Sequence, residues 1–400
     1  MGGLIERIYS NKYMVKPEDI VGEIPSDKEI YKNAIEMSWP SALEAVLVQL
    51  ISSADLIMVG GLGAAAISAV GITTQPRFIL LAIIFSLNVG VTAVVARRKG
   101  EDDREEANNT LRQSIVICFV LSFILSFLGI KFARPLIIFA GAQSDVVDAA
   151  VIYFKIICVG NFFTSLSLTI NAAQRGVGNT KISMKTNVAA NLVNLVFNYL
   201  LIGGNFGFPA LGVTGAAIAT AIGNFVGFLL SLKSVTHSHE FLEIKKGQSW
   251  KPDKYTLASI LNISGSAFVE QVFMRIGFFT TNKLVASLGT VEFATHQICM
   301  NIISISFAFG DGLGISASAL VGQNLGAKRA DIATIYGRSL QRIAVTIGLL
   351  FTIAFLLTGG LFVSLYTNEQ EVIAAGAKIM IIIACFAPIQ TSNVVISGSL

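Results

Sequence analysis

The stretch AIEMSWPSALEAVLVQLISSADLIMVG, residues 34–60, decides the fold. Its length exceeds the roughly 20 residues that carry a helix across hydrocarbon. Asp55 sits near its far end, and a charge at that depth is costly and marks function. Pro40 lies fifteen residues earlier; a proline removes one helical hydrogen bond and permits a bend. Pro40 is therefore the candidate hinge of a helix that carries a buried acid.

Nine further runs follow at 70–96, 113–139, 149–173, 183–204, 211–233, 257–287, 292–321, 338–366 and 374–398. Composition agrees, with 53% apolar residues, 14% charged and a mean hydropathy of +0.69; a soluble domain carries roughly 25% charge. The runs are continuous and rich in small residues, whereas the strands of a membrane barrel alternate in polarity. The chain reads as an all-α polytopic membrane protein with ten spans. Residues 1–33 hold no apolar stretch, so the first span is expected to act as the insertion signal.

Lysine and arginine give the orientation. Arg7, Lys12, Arg97, Arg98, Lys99, Arg104, Arg112, Arg175, Lys181, Lys245, Lys246, Lys328 and Arg338 fall on one side, with only Lys131 and Arg134 clearly on the other. The bias predicts a plasma-membrane protein with a cytoplasmic N-terminus. It also accounts for the net charge of +4 without any basic, aromatic-interleaved stripe, so no nucleic-acid partner is expected. Cys118, Cys158, Cys299 and Cys385 show no ligand spacing and read as small buried hydrophobes. His237, His239 and His296 have no zinc spacing, and no nucleophile motif is present. No enzyme activity and no cofactor are expected.

Sliding the chain on itself by 226 residues brings Ser38, Glu44, Leu62, Gly63, Ile72, Gly100 and Arg112 onto Ser264, Glu270, Leu288, Gly289, Ile298, Gly326 and Arg338 without a gap. The offset holds an even number of spans, so the copies are two parallel six-helix repeats about an axis along the membrane normal. The domains expected are an N-terminal segment 1–33, an N-lobe 34–235, a polar cytoplasmic linker 236–256 and a C-lobe 257–400. Leu400 matches Gln174 under the offset, which predicts ten of twelve helices in this sequence.

Several polar residues stand out within the spans. Asn191, Asn194 and Asn198 recur at helical spacing and share one face, either as oxygen ligands for a hard cation or as glue between helices. Glu44 and Asp55 are eleven residues apart, within about 20° on a helix, so both can face one cavity. Asp311 lies in Gly310-Asp311-Gly312-Leu313-Gly314, a loosened stretch suited to ligand binding, bending or packing.

Four stretches carry a resemblance. They are Trp39-Pro40 leading to Ala54-Asp55-Leu56-Ile57-Met58-Val59-Gly60; Ala172-Ala173-Gln174-Arg175-Gly176-Val177-Gly178-Asn179-Thr180; Gly215-Ala216-Ala217-Ile218-Ala219-Thr220; and Leu320-Val321-Gly322-Gln323-Asn324-Leu325-Gly326-Ala327. In this order they resemble the multidrug and toxic compound extrusion (MATE) transporters. The resemblance implies that Asp55, helped by Asn194, Asn198 and Thr220, takes the coupling ion, H+ or Na+, and makes these four a candidate Na+ site. It implies a functional acid at Glu270, whose repeat partner is Glu44. Two positions depart from it, since some members carry an acid where this chain has Asn198 and others where it has Gln390.

The function expected is a cation-coupled antiporter exporting amphipathic or cationic organic compounds by alternating access. Glu270, Glu44, Gln390 and Asp311 are the candidate cavity residues. Membrane lipids and small organic molecules are the expected partners, and a monomer the expected state. A lipid-linked oligosaccharide flippase is the alternative; it needs cationic groups in the cavity, for which Arg77, Arg275 and Lys283 are candidates, whereas Asp55 and Glu270 favour cationic cargo.

Overall fold

The computed structural model describes residues 10–142, 144, 146–237, 240–245, 247–366 and 369–399; Arg7, His239 and Lys246 lie outside them. Among the described residues ten helices of 24 residues or more follow one another, and no strand occurs. They are α1 (Asp27–Gly60), α2 (Ala64–Gly100), α3 (Arg104–Lys131), α4 (Val147–Gly176), α5 (Thr180–Gly203), α6 (Gly212–Thr236), α7 (Lys254–Ala286), α8 (Thr290–Gly326), α9 (Ala330–Ser364) and α10 (Gln370–Ser399). Nine of these, α2 to α10, are long and apolar enough to cross a membrane among the described residues. Three of the cysteines are buried as expected, while Cys385 is exposed.

The 226-residue offset reappears in the backbone. It carries the bounds of α2, Ala64–Gly100, onto those of α8, Thr290–Gly326. A glycine at positive φ precedes each, Gly63 at 102° and Gly289 at 145°, and a left-handed non-glycine follows each, Asp102 at 55° and Lys328 at 59°. The two ends close with the same long backbone bond, Asp103 N to Arg98 O at 3.0 Å and Arg329 N to Asn324 O at 2.8 Å. A left-handed conformation costs an L-residue about 1–2 kcal/mol. Lys328→Gly is therefore expected to stabilise the chain by about 0.5–1 kcal/mol, read as a higher thermal midpoint in detergent. Asp102→Gly should gain less, because aspartate tolerates this conformation better.

Packing repeats as well: α2, α3 and α4 contact one another pairwise, and so do α8, α9 and α10. The chain forms two compact units, Leu47–Val269 and Met1–Val46 with Glu270–Leu400. The boundaries thus fall inside α1 and α7.

In the Leu47–Val269 unit, small residues let α6 approach α5. A Cβ at Gly215 would lie 2.4 Å from Leu201 O, and one at Gly223 would lie 2.7 Å from Ala190 O and 2.8 Å from Asn194 Cβ. Gly215, Ala219, Gly223 and Gly227 recur every fourth residue and line one face. A buried polar core joins the same helices to α4 and α2. Asn171, with no exposed surface, accepts from Thr186 Oγ1 and Ser231 Oγ at 3.2 Å each and donates to Asn187 Oδ1 at 3.2 Å. Thr169 donates to Asn88 at 2.8 Å, and Gln174 to Ser234 Oγ at 3.1 Å.

In the other unit the Gly310–Gly314 stretch is unbroken helix inside α8, not the loosened segment its glycines predict. Those glycines serve contact: a Cβ at Gly312 would lie 2.5 Å from Ala42 N of α1, and one at Gly314 3.0 Å from Val394 O of α10. Ser316 Oγ adds a hydrogen bond to Met37 O at 3.1 Å. Helices that approach this closely gain dispersion contact that larger side chains would prevent.

Asp253 starts α7. Its carboxylate accepts from the Thr256 hydroxyl, from Thr256 N at 3.0 Å and from Tyr255 N at 3.3 Å. These bonds, the Thr256 hydroxyl first, hold the carboxyl below its usual range. A depressed carboxylate adds stability that is present above its unfolded pKa, about 4, and is lost as pH falls through the lower folded value. The protection factors of the first amides of α7, corrected for the intrinsic pH dependence of exchange, are expected to fall below about pH 4, and Asp253→Asn should remove that dependence.

Candidate functional site

Asp55 lies on α1, one helical turn before Val59, which is buried with Tyr153, Ile157, Ile202, Ala216 and Ala217 of α4, α5 and α6. That apolar cluster fixes the helix, and the carboxylate meets the polar faces of α5 and α6. Asn198 Nδ2 donates to Asp55 Oδ1 at 2.8 Å. Asn194, one turn earlier on α5, reaches both Asp55 and Thr220. With its amino group toward the acid, Nδ2 lies 2.8 Å from Asp55 Oδ2, and its carbonyl accepts from Thr220 N at 3.1 Å and Oγ1 at 3.2 Å. Turned round, the carbonyl would face the carboxylate and Nδ2 would face the Thr220 N–H, so the first orientation is the one the surroundings satisfy. Thr220 Oγ1 also lies 3.0 Å from Ala216 O.

The four residues matched to the ion position, Asp55, Asn194, Asn198 and Thr220, thus form one hydrogen-bonded group. Asn191 does not join it, because its Nδ2 donates into its own helix at Asn187 O, 2.8 Å away. It lies within about 20° of Asn198 around the helix but about 10 Å from it along the axis, so depth rather than direction separates it from the acid.

The group carries one anomaly. Asn198 is 1% exposed, yet its carbonyl oxygen has no hydrogen-bond partner among the described residues. A buried acceptor without a donor is costly. A hard cation set among Asp55, the two amides and Thr220 would use that oxygen as a ligand, so the residues present fit Na+. They fit a proton equally, since a protonated Asp55 becomes a donor to an amide carbonyl. Asn198→Leu is expected to weaken ion binding about tenfold, the worth of one hydrogen bond to a charged group, measured by calorimetric titration of the purified protein.

The other candidates lie in the Met1–Val46 and Glu270–Leu400 unit. Glu270 is exposed and its Oε1 accepts from Ser397 Oγ at 3.2 Å. Asp311 is exposed on α8, and Glu44 is buried on α1 at 8% exposure. Gln390 Nε2 is buried without a hydrogen-bond partner among the described residues. No hydrogen bond joins Glu270, Asp311 and Gln390 to one another among the described residues. Glu44 and Asp55 belong to different compact units. Pro40 lies within α1, which is helical on both sides of it.

Two further residues belong to this unit: Arg77, the cationic candidate named above, and Tyr153, which the sequence does not single out. Arg77 of α2 donates through Nε to Asn161 Oδ1 of α4 at 3.1 Å. Tyr153 lies two turns along α4 from Asn161 and within electrostatic reach of both Arg77 and Asp55. The spacing of Tyr153, Ile157 and Asn161, four residues each, is the one sequence signal for this stripe.

Comparison with known proteins follows the same lines. The MatE family model matches residues 40–200 and 266–400. Among similar proteins, the uncharacterized transporter YisQ of Bacillus subtilis (strain 168) is 24% identical over 378 residues, covering 94% of this chain and 82% of that protein. The probable multidrug resistance protein NorM of Thermotoga maritima is 28% identical over 304 residues, covering 75% and 64%. A solved structure of a multidrug resistance MATE family transporter in the outward-facing conformation matches with a TM-score of 0.86 at 21% identity, covering 92% of this chain and 82% of that one.

Proposed function

The chain belongs to the MATE family of multidrug efflux transporters, and from that premise we propose that it is an antiporter driven by inward flow of H+ or Na+. Its cargo is amphipathic or cationic organic compounds. The observation that supports the coupling is the Asp55, Asn194, Asn198 and Thr220 group, with a buried carbonyl that has no partner among the described residues.

The chemistry follows from the charge of Asp55 and the amides that face it. With Asp55 ionised and no ion held, both amides turn their amino groups to the carboxylate. Loading of a cation or proton removes the need for those donors and favours carbonyls around the acid. Asn194 donates to Asp55 and accepts from Thr220 of α6, so a change of charge at the acid bears on α6 through it. A ligand shifts a conformational equilibrium only by its difference in affinity for the two states, and this connection supplies such a difference.

Glu270 is exposed and, among the described residues, accepts one hydroxyl donor, Ser397, which leaves carboxylate lone pairs for a cationic cargo. The names of the NorM relatives, as multidrug resistance proteins, agree with such cargo. Residence in the plasma membrane with the N-terminus inside follows from the loop charges, and a monomer embedded in lipid is the simplest state. The test is ethidium efflux from cells with sodium and pH gradients imposed one at a time. Efflux that follows one gradient identifies the ion, and efflux that ignores both removes the antiport reading.

A further inference from the structure

The two segments that precede the repeats are fastened in the same way. Before α7, Leu242 is fully buried in the apolar cluster of α2, α3 and α4. Arg104 Nε donates to Phe241 O at 3.0 Å, Asn108 Oδ1 accepts from Glu243 N at 2.6 Å, Arg112 Nε donates to Ser249 O at 3.0 Å and Gln113 Nε2 donates to Lys251 O at 2.7 Å. Arg104, Asn108 and Arg112 are spaced by four on α3, so one helix face grips the passing backbone carbonyls and amide.

Before α1, Met14 is fully buried in the cluster of α8, α9 and α10. Arg338 donates to Met14 O, and Arg329 Nη2 donates to Glu23 O at 2.8 Å. Val21 N donates to Asp331 Oδ2 at 3.2 Å. Arg112 and Arg338 are repeat partners, 226 residues apart. Each strap therefore leads into one repeat while lying on the third helix of the other, which is why the compact units begin and end inside α1 and α7.

We propose that the two straps are permanent clamps: residues 240–245 and 247–253, between α6 and α7, are a fixed part of the Leu47–Val269 unit and stay pinned to α3 throughout the working cycle. A flexible connector would place polar side chains outward and leave its backbone to water. Here a fully buried leucine and the side-chain-to-backbone bonds from α3 would all be given up on release, leaving Asn108 and Arg112 without these partners. The two arginines act on main-chain oxygens, so the grip depends little on which residues the straps carry.

The test joins the clamp covalently. Asn109 Nδ2 lies 3.4 Å from Thr256 Oγ1, which brings α3 and the first turn of α7 within reach of a short dithiol cross-link. In a background with the four native cysteines replaced, the pair Asn109→Cys and Thr256→Cys is closed and export of ethidium measured. Export within twofold of the uncross-linked pair supports the clamp. Loss of export that returns on reduction, or failure of the folded protein to cross-link, overturns it. The proposal leans on the exporter reading for that readout alone. If the wild-type chain exports nothing, amide exchange decides instead: Glu243 and Ile244, whose amides donate to Asn108 Oδ1 and Val235 O, stay protected if the clamp holds and exchange with the exposed loops if it does not.

Discussion

Asp55→Asn is expected to leave the helices assembled and to reduce gradient-driven efflux about 100-fold, toward the upper end of typical coupling energies. The substitution keeps the size of the side chain and removes its negative charge. An amide at this position cannot take up a proton near neutral pH and is a far weaker ligand for a cation. One of its ends would also face an amide nitrogen, since Asn198 Nδ2 lies 2.8 Å from Oδ1 and Asn194 can place its own nitrogen 2.8 Å from Oδ2. Thermal unfolding in detergent, compared with wild type, separates loss of coupling from loss of fold. A variant that unfolds like wild type and still exports at the wild-type rate would remove Asp55 from the mechanism.

Gly312→Val is expected to destabilise the Met1–Val46 and Glu270–Leu400 unit by about 3 kcal/mol, the upper range for overpacking. The reason is geometric. A Cβ on Gly312 would stand 2.5 Å from Ala42 N and 2.6 Å from Ala42 Cα, both main-chain atoms of a helix that cannot yield a side chain. Either α1 moves away from α8 or the helix deforms. The loss should appear as a lower thermal midpoint and poor recovery from the membrane. Gly265→Ala is the control, because a Cβ there meets nothing within 4 Å; it should be neutral or gain up to about 1 kcal/mol from helix propensity. Equal midpoints for the two variants would mean that α1 does not pack on α8 as described.

The number and order of the helices were legible in the sequence because bilayer thickness imposes a length on every span, and Gly63 and Gly289 are matched by the offset alone. Asp55 was legible because a charge inside an apolar run is too costly to persist without a task. Its ligands were read by resemblance, and periodicity alone would have added Asn191, which turns back into its own helix. The contact of Arg77 with Asn161 was hidden, since nothing in one sequence says that two polar residues 84 positions apart will meet. The glycines around Asp311 misled for a simple reason: Gly is compatible with both a loosened backbone and a close crossing, and only the neighbour, Ala42, distinguishes them.

The polar core around Asn171 bears on how the chain enters the bilayer at all. α4 carries Asn161, Thr169, Asn171 and Gln174, and the partners of Asn171 lie on α5 and α6, which are made later. Alone in lipid, α4 would expose these groups to hydrocarbon at a cost of several kcal/mol. Ribosomal synthesis delivers α6 some 60 residues after Asn171, with Ser231. At about 5–20 residues per second this leaves α4 waiting several seconds for its last partner. The expected result is that α4 stays beside the translocon until α6 emerges, which cross-linking of stalled chains of increasing length would show as loss of that contact only after Ser231 is made.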